Sequence, residues 1–400
     1  MSACRPLAAT APALSLGEVL RVSLASYAQS HSLPPHHWRI LRAIMACRTP
    51  ALGGHLYRCS HCQREHFIPH SCRNRHCPTC QGASGYDWME KQADVLLPIP
   101  YFHLVFTLPH TLNPLIRQNQ SQVYDLLFAS ASATLLEFGR NNLDAQIGIT
   151  AVLHTWSQTL LDHYHLHCIV TGGGLRAGGS TWAKVSRHWL FPVRALSVVF
   201  RAKFLTGLKR LYASGRLEFH GQTDSLAEPD TFNKLLREAG RPAWVVYAKR
   251  PFAGPRQVLA YLARYTHRVG ITNRRLRSLD VHGQTVTFEY KDYAERARKK
   301  LLTLSLMEFT RRFRLHLLPE RFVKIRHYGL LSNRNRHHRI AQARAVLESE
   351  SGSRAKPERA AVEAKPKSPP LQICPYCQQP ALVLVRVTHF QRPPTTYDSS

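Results

Sequence analysis

Acidic residues are scarce in this sequence: Asp and Glu number 25, against 54 Lys and Arg. The formal charge of +29 says nothing about the fold, but it does constrain the partner. A chain this basic repels itself until it meets a polyanion, and nucleic acid is the polyanion of matching charge density. Long apolar runs are also missing. No stretch of about 18 apolar residues occurs, which argues against a membrane-spanning helix. The N-terminal stretch is mildly apolar but carries Arg5 and is interrupted by Glu18, so it does not read as a secretory signal. No internal repeat is visible. Without an export signal, the ten cysteines are expected in a reducing, cytoplasmic setting, where paired Cys-x-x-Cys reads as metal binding before disulfide.

What is present is enough for two or three domains. The chain has 400 residues, and 44% are hydrophobic. The positive charge is concentrated: residues 241–344 hold 24 Lys and Arg and 6 Asp and Glu. Apolar spacing predicts helices over 16–45, split at Pro34-Pro35, and over 115–138, 189–212, 228–239, 255–268 and 301–317. Alternation predicts strands over 102–108, 147–156, 164–171 and 244–249, with Gly172-Gly173-Gly174 ending the third. A hairpin is expected from 271–280 and 285–290. Residues 348–370, rich in Ser, Ala, Lys, Glu and Pro, read as a linker.

Residues 47–82 are poor in apolar side chains and rich in Cys, His and Arg, the composition of a segment that needs a staple. Cys59-x2-Cys62 and Cys77-x2-Cys80, 14 residues apart, suit a closed tetrahedral thiolate site for structural zinc. Cys72 and His76 lie between the pairs; His61, His66 and His70 are nearby, with Cys47 and His55 upstream. They leave open a second ion or a different ligand set. The proposed ion would shape the basic loop holding Arg73 and Arg75. Cys374-x2-Cys377 reads as half a knuckle, completed by His389 or by nothing.

The stretch His163-Tyr-His165-Leu-His167-Cys-Ile-Val170 puts three imidazoles on one strand face. Neighbouring histidines lie about 6.6 Å apart along a strand, so His165 and His167 can converge on one cation. The third ligand is open among His154, Gln158, His163 and a nearby carboxylate. Tyr261 and Tyr265, four apart on the helix expected over 255–268, share one face. Arg256, Arg264 and Arg268 lie on the same helix, and their guanidinium forks suit phosphate. Imidazole-held metal, paired tyrosines and a polycationic surface add up to covalent DNA cleavage.

These motifs are ordered along the chain as in a known family. His165-Leu166-His167, Tyr261-x3-Tyr265, Leu153-His-Thr-Trp156, Asn74-Arg-His-Cys-Pro-x-Cys80 and Ile325-Arg-His-Tyr-Gly329 together resemble insertion sequence ninety-one transposases. These belong to the two-tyrosine His-hydrophobic-His (HUH) endonucleases, and the resemblance spans roughly residues 30 to 340. The family commonly has proline where this chain has Tyr164.

The resemblance implies an α+β fold: an HUH-endonuclease core with a central antiparallel sheet flanked by helices, plus a small N-terminal zinc-binding module. It implies domains at 1–100 (zinc-binding), 101–345 (catalytic), 346–373 (linker) and 374–400 (tail). It implies a bacterial transposase that cuts and joins single DNA strands through a 5′-phosphotyrosine, with magnesium or manganese at the histidines. The implied partner is DNA, as single-stranded or hairpin transposon ends. The competing readings are a non-catalytic zinc-dependent DNA-binding protein and a metal-dependent hydrolase built on a parallel barrel.

Overall fold

The computed structural model describes residues 14–81, 95–185, 190–252, 257–258, 269–351 and 373–389. In chain order the helices are α1 (Leu16–Ser30), α2 (Pro35–Ala46), α3 (Asn113–Gln118), α4 (Gln120–Leu143), α5 (Val193–Ala213), α6 (Pro229–Gly240), α7 (Leu306–Arg314) and α8 (Arg336–Ser351). The strands are β1 (Gly53–Cys59), β2 (Glu65–Pro69), β3 (Tyr101–Thr107), β4 (Ala145–Trp156), β5 (Asp162–Arg176), β6 (Trp182–Lys184) and β7 (Val246–Phe252). They continue as β8 (Leu276–Asp280), β9 (Thr285–Asp292), β10 (Arg298–Ser305), β11 (Ile325–Gly329) and β12 (Leu382–His389). The protein is of the α+β class.

Two compact units emerge, and neither is contiguous in sequence. One gathers residues 1–83, 271–314 and 363–400; the other gathers 84–270 and 315–362.

In the first unit, α1 begins at a capping box. Ser15 Oγ accepts from the Glu18 N–H at 3.3 Å, and the Glu18 carboxylate accepts from the Ser15 N–H at 2.7 Å. Pro35 opens α2, where its missing N–H costs nothing. Ser23 of α1 and Thr310 of α7 share a buried hydrogen bond of 2.8 Å. Two small antiparallel sheets complete the unit, ordered β12-β1-β2 and β10-β9-β8.

The second unit is built on a sheet ordered β11-β4-β5-β3-β7, with β6 paired to β5. Every pairing in it is antiparallel. This is not the parallel barrel that the hydrolase reading needs. One face carries Phe102, Leu104, Phe106, Ile149, Ala151, Leu153, Leu166, Cys168 and Val170. On it lie α4, through Val123, Leu127, Ala131 and Leu135, and α5, through Leu196, Phe200, Phe204 and Leu208. Both series step by four, so each makes one apolar stripe. Each Val, Leu or Phe among them contributes about 1.5–3 kcal/mol on burial. The opposite face buries Tyr101 and Ile169 in a cluster with Val258, Leu330 and, from α8, Ile340 and Ala343.

Three expectations need correction. Gly172–Gly174 do not end β5, which runs through them to Arg176. They are passing points for crowded backbone: a Cβ on Gly173 would lie 2.3 Å from the Ala183 carbonyl oxygen, and one on Gly174 would lie 2.6 Å from that of Gln146. Residues 301–305 are strand, not the first turns of a helix. β10 pairs with β9 along its whole length, and Leu302 and Leu304 turn inward while Leu301 faces solvent. The tail adds a strand to the N-terminal hairpin, since β12 pairs with β1 from Gly53↔His389 to Cys59↔Leu382. The expected linker also starts late, because α8 continues to Ser351; residues 352–372 lie outside the described ones.

Candidate metal centres

β5 lies between β4 and β3, so its histidines have neighbours on both sides. Across β4, His165 faces His154 and His167 faces Val152. Across β3, His165 faces Thr107 and His167 faces Val105. Directly opposed residues share a face, so His154 joins the two strand histidines. The side-chain nitrogens of His154, His165 and His167 lie within 4.8 Å of one another. Their ring centroids are 4.4 Å apart for His154–His167, 4.9 Å for His165–His167 and 5.4 Å for His154–His165. All three are buried, at 2, 9 and 9% exposure. Three neutral imidazoles this close offer a donor set that a cation would fit.

The surroundings orient the rings. His165 Nδ1 is 2.7 Å from the His163 carbonyl oxygen, and His167 Nδ1 is 2.8 Å from His103 Nε2. In a chelating tautomer, Nδ1 would carry those bonds and Nε2 would meet the ion, the usual arrangement behind a metal-bound histidine. Burial, with Lys249 nearby, lowers the pKa of His103 to about 3, so the ring is neutral at physiological pH. Trp156 stacks on His154 at 4.7 Å. His316 braces the β4–β5 turn, with Nε2 2.9 Å from the Leu160 carbonyl oxygen and Nδ1 3.2 Å from Thr155 Oγ1.

Of the third-ligand candidates, register brings in His154. Gln158 sits in the turn that Ser157 and Leu161 close, beyond the last strand pair. The His163 ring packs against His165 at 4.6 Å and His110 at 5.7 Å and stays outside the trio. His103 carried no sequence signal, because only the β3–β5 pairing places it beside His167. Tyr164, in the place of the family's proline, points to the helix-covered face. Its hydroxyl donates to Asp162 Oδ1 at 3.0 Å, and Arg117 holds Asp162 Oδ2 at 2.5 and 2.6 Å. Tyr261, Tyr265, Arg256, Arg264 and Arg268 lie outside the described residues. Val258 is described and fully buried, in the cluster that contains Ile169.

The cysteines form two groups: Cys47, Cys72, Cys77 and Cys80; and Cys59, Cys62, Cys374 and Cys377. The expected set of Cys59, Cys62, Cys77 and Cys80 is therefore divided. The reason is the direction of the β1–β2 hairpin. Six residue steps along β1 carry the chain about 20 Å, so Cys59 and Cys62 turn at the far end. β2 then returns the chain, and Cys72, Cys77 and Cys80 meet Cys47, which follows α2. Cys80 Sγ lies 3.6 Å from both Cys47 Sγ and Cys72 Sγ. Hydrogen bonds from Cys47 and Cys72 lower the Cys77 pKa and favour its thiolate. Cys72 thus belongs to the thiolate set, whereas His76 is buried beside it without joining it.

Arg73 is exposed, in a left-handed backbone conformation at φ 51°, and Arg75 is half-buried. A groove of about 650 Å³ beside this cluster is lined in part by Arg48, His55, His70, Arg73 and His389.

Comparison with known proteins agrees with these features. Residues 148–339 match the family described as "Putative transposase", and residues 19–108 match the transposase zinc-binding domain. The latter match spans all of the first cysteine group and only half of the second. The putative transposase y4qJ of Sinorhizobium fredii is 41% identical over 387 residues, covering 95% of this chain and 97% of its own length. The transposase for insertion sequence element IS801 of Pseudomonas savastanoi pv. phaseolicola is 31% identical over 302 residues, covering 73% and 69%. No solved structure matches. The protein is a transposase with a zinc-binding domain. Within that class, the chain belongs to the insertion sequence ninety-one (IS91) family. Among the described residues, no helix is long and apolar enough to cross a membrane.

Proposed function

We propose that this transposase cuts and rejoins single DNA strands through a tyrosine–DNA bond, with Tyr261 and Tyr265 as nucleophiles. The observation that carries this reading is the buried convergence of His154, His165 and His167 on one sheet face. Val258, three residues before Tyr261, is buried in one cluster with Ile169, which follows His167 on that face. The burial of Val258 there supports this reading.

The three imidazoles would hold a divalent ion, which supplies charge to polarise the scissile phosphate. An all-imidazole set suits manganese better than magnesium, which prefers oxygen ligands. The rest is tyrosine chemistry. The phenol oxygen of one tyrosine attacks phosphorus, and the bond from phosphorus to the 3′ oxygen breaks. The phenol proton ends on that oxygen, giving a free 3′-hydroxyl and a 5′-phosphotyrosine. Attack by a 3′-hydroxyl on the phosphotyrosine reverses the balance and joins strands without ATP. The second tyrosine allows a paired cut or strand transfer. Arg256, Arg264 and Arg268 would grip the backbone phosphates. The zinc-binding segment within 1–100, with Arg73 beside the His- and Arg-lined groove, would hold single-stranded or hairpin transposon ends in the bacterial cytoplasm. The catalytic part then lies within 101–345.

The test is the Tyr261→Phe, Tyr265→Phe double variant on single-stranded DNA carrying an element end. Cleavage is expected to vanish while binding persists. Loss of binding and cleavage together would favour the non-catalytic zinc-dependent binder.

A further inference from the structure

We infer that Cys59, Cys62, Cys374 and Cys377 hold a second structural zinc ion, at a site that exists only when the C-terminal Cys-x-x-Cys returns to the N-terminal hairpin. The four sulfurs lie within 4.8 Å of one another. Cys59 Sγ is 3.6 Å from Cys377 Sγ, and Cys62 Sγ is 3.6 Å from Cys374 Sγ. Thiolates about 2.3 Å from one tetrahedral ion stand about 3.8 Å from each other. A disulfide would bring two of them to about 2.05 Å.

The two half-sites are built alike. In the first, Gln63 N–H donates to the Cys59 carbonyl at 2.9 Å, and Cys59 N–H donates to the Arg64 carbonyl at 2.9 Å. In the second, Gln378 N–H donates to the Cys374 carbonyl at 2.9 Å, and Cys374 N–H donates to the Gln379 carbonyl at 2.8 Å. Gln63 and Gln378, each just after the second cysteine, adopt left-handed φ values of 60° and 61°. Two turns far apart in sequence share the same backbone bonds and aim their thiols at one point.

Burial does not explain why the tail is there. Val383, Leu384 and Val385 of β12 are 57, 49 and 48% exposed, so the strand has little core beneath it. A small, open sheet of this kind needs a staple, and a metal clip supplies one. The site makes the two chain ends one module, and it stands whether or not the tyrosine chemistry is right.

The experiment measures zinc in the purified full-length protein and in the Cys374→Ser, Cys377→Ser double variant. Wild type is expected to carry two thiolate-bound zinc ions per chain, and the variant one. Faster amide exchange at Leu56, Tyr57 and Arg58 should accompany the loss. If the variant fails to fold, cadmium-substituted wild type decides by NMR, where two tetrathiolate signals are expected. One thiolate-bound ion in wild type, a single tetrathiolate signal, or unchanged zinc in a folded variant overturns the inference.

Discussion

His154 lies directly across the β4–β5 ladder from His165, and this cross-strand pair turns a two-histidine motif into a three-histidine site. His154 is expected to be an equal ligand. His154→Ala should therefore cost as much metal-dependent nicking as His165→Ala, with DNA binding retained in both. Nicking by His154→Ala at the wild-type level would remove it from the site.

His103 is expected to act one step back, by fixing the His167 ring. Changes to such supporting partners typically weaken metal binding about 10–100-fold. His103→Ala should show that loss in a manganese titration of the folded variant. Equal affinity in variant and wild type would leave the His103–His167 contact without a role in the site.

Leu166 separates the two functions of β5. It sits between His165 and His167 in sequence but points into the core under α4 and α5. Leu166→Ala should cost about 2–5 kcal/mol of stability through the cavity it leaves. Denaturant unfolding measures that cost, and manganese affinity of the folded variant should stay near wild type.

Acid should destabilise the protein before its carboxylates titrate. Burial lowers His37, His316 and His327 each to about 4, against an ordinary value of 6.5. Between those values the unfolded chain binds more protons than the folded one, so stability falls as pH drops from about 6.5 to about 4. Urea unfolding at pH 7 and pH 5 should show the midpoint moving down at the lower pH. A midpoint unchanged between them would contradict this.

Arg73 is exposed beside the groove of the zinc-binding segment and is expected to meet phosphate. Arg73→Ala should weaken binding similarly across DNA sequences and reduce the slope of log affinity against log salt by about 1. A change confined to one DNA sequence would mean a base contact instead.

What the sequence revealed followed what is local. Side-chain parity along 163–170 is a two-residue property, so the shared face of His165 and His167 was legible without a fold. So were the helix break at Pro34-Pro35 and the Cys-x2-Cys turns. Partners set by register were not. Nothing near His154 says that it faces His165, and nothing near Cys59 says that a hairpin carries it away from Cys77. Residues 298–305 satisfied both periods, because Leu301, Leu302 and Leu304 fit a helical stripe as well as a strand edge. Pairing with β9 decided between them. In the tail, Leu382-Val-Leu-Val385 is an apolar, β-branched run that does signal a strand, but nothing in it names β1 as the partner, and the tail's cysteines become meaningful only beside Cys59 and Cys62.

The most direct measurement is mass spectrometry of protease digests after wild type meets single-stranded DNA bearing the element's end, with manganese present. The expected product is a nucleotide attached through its 5′ phosphate to a peptide holding Tyr261 or Tyr265. Cleaved DNA with free 5′ phosphates and no such peptide, or attachment at a different residue, would contradict it.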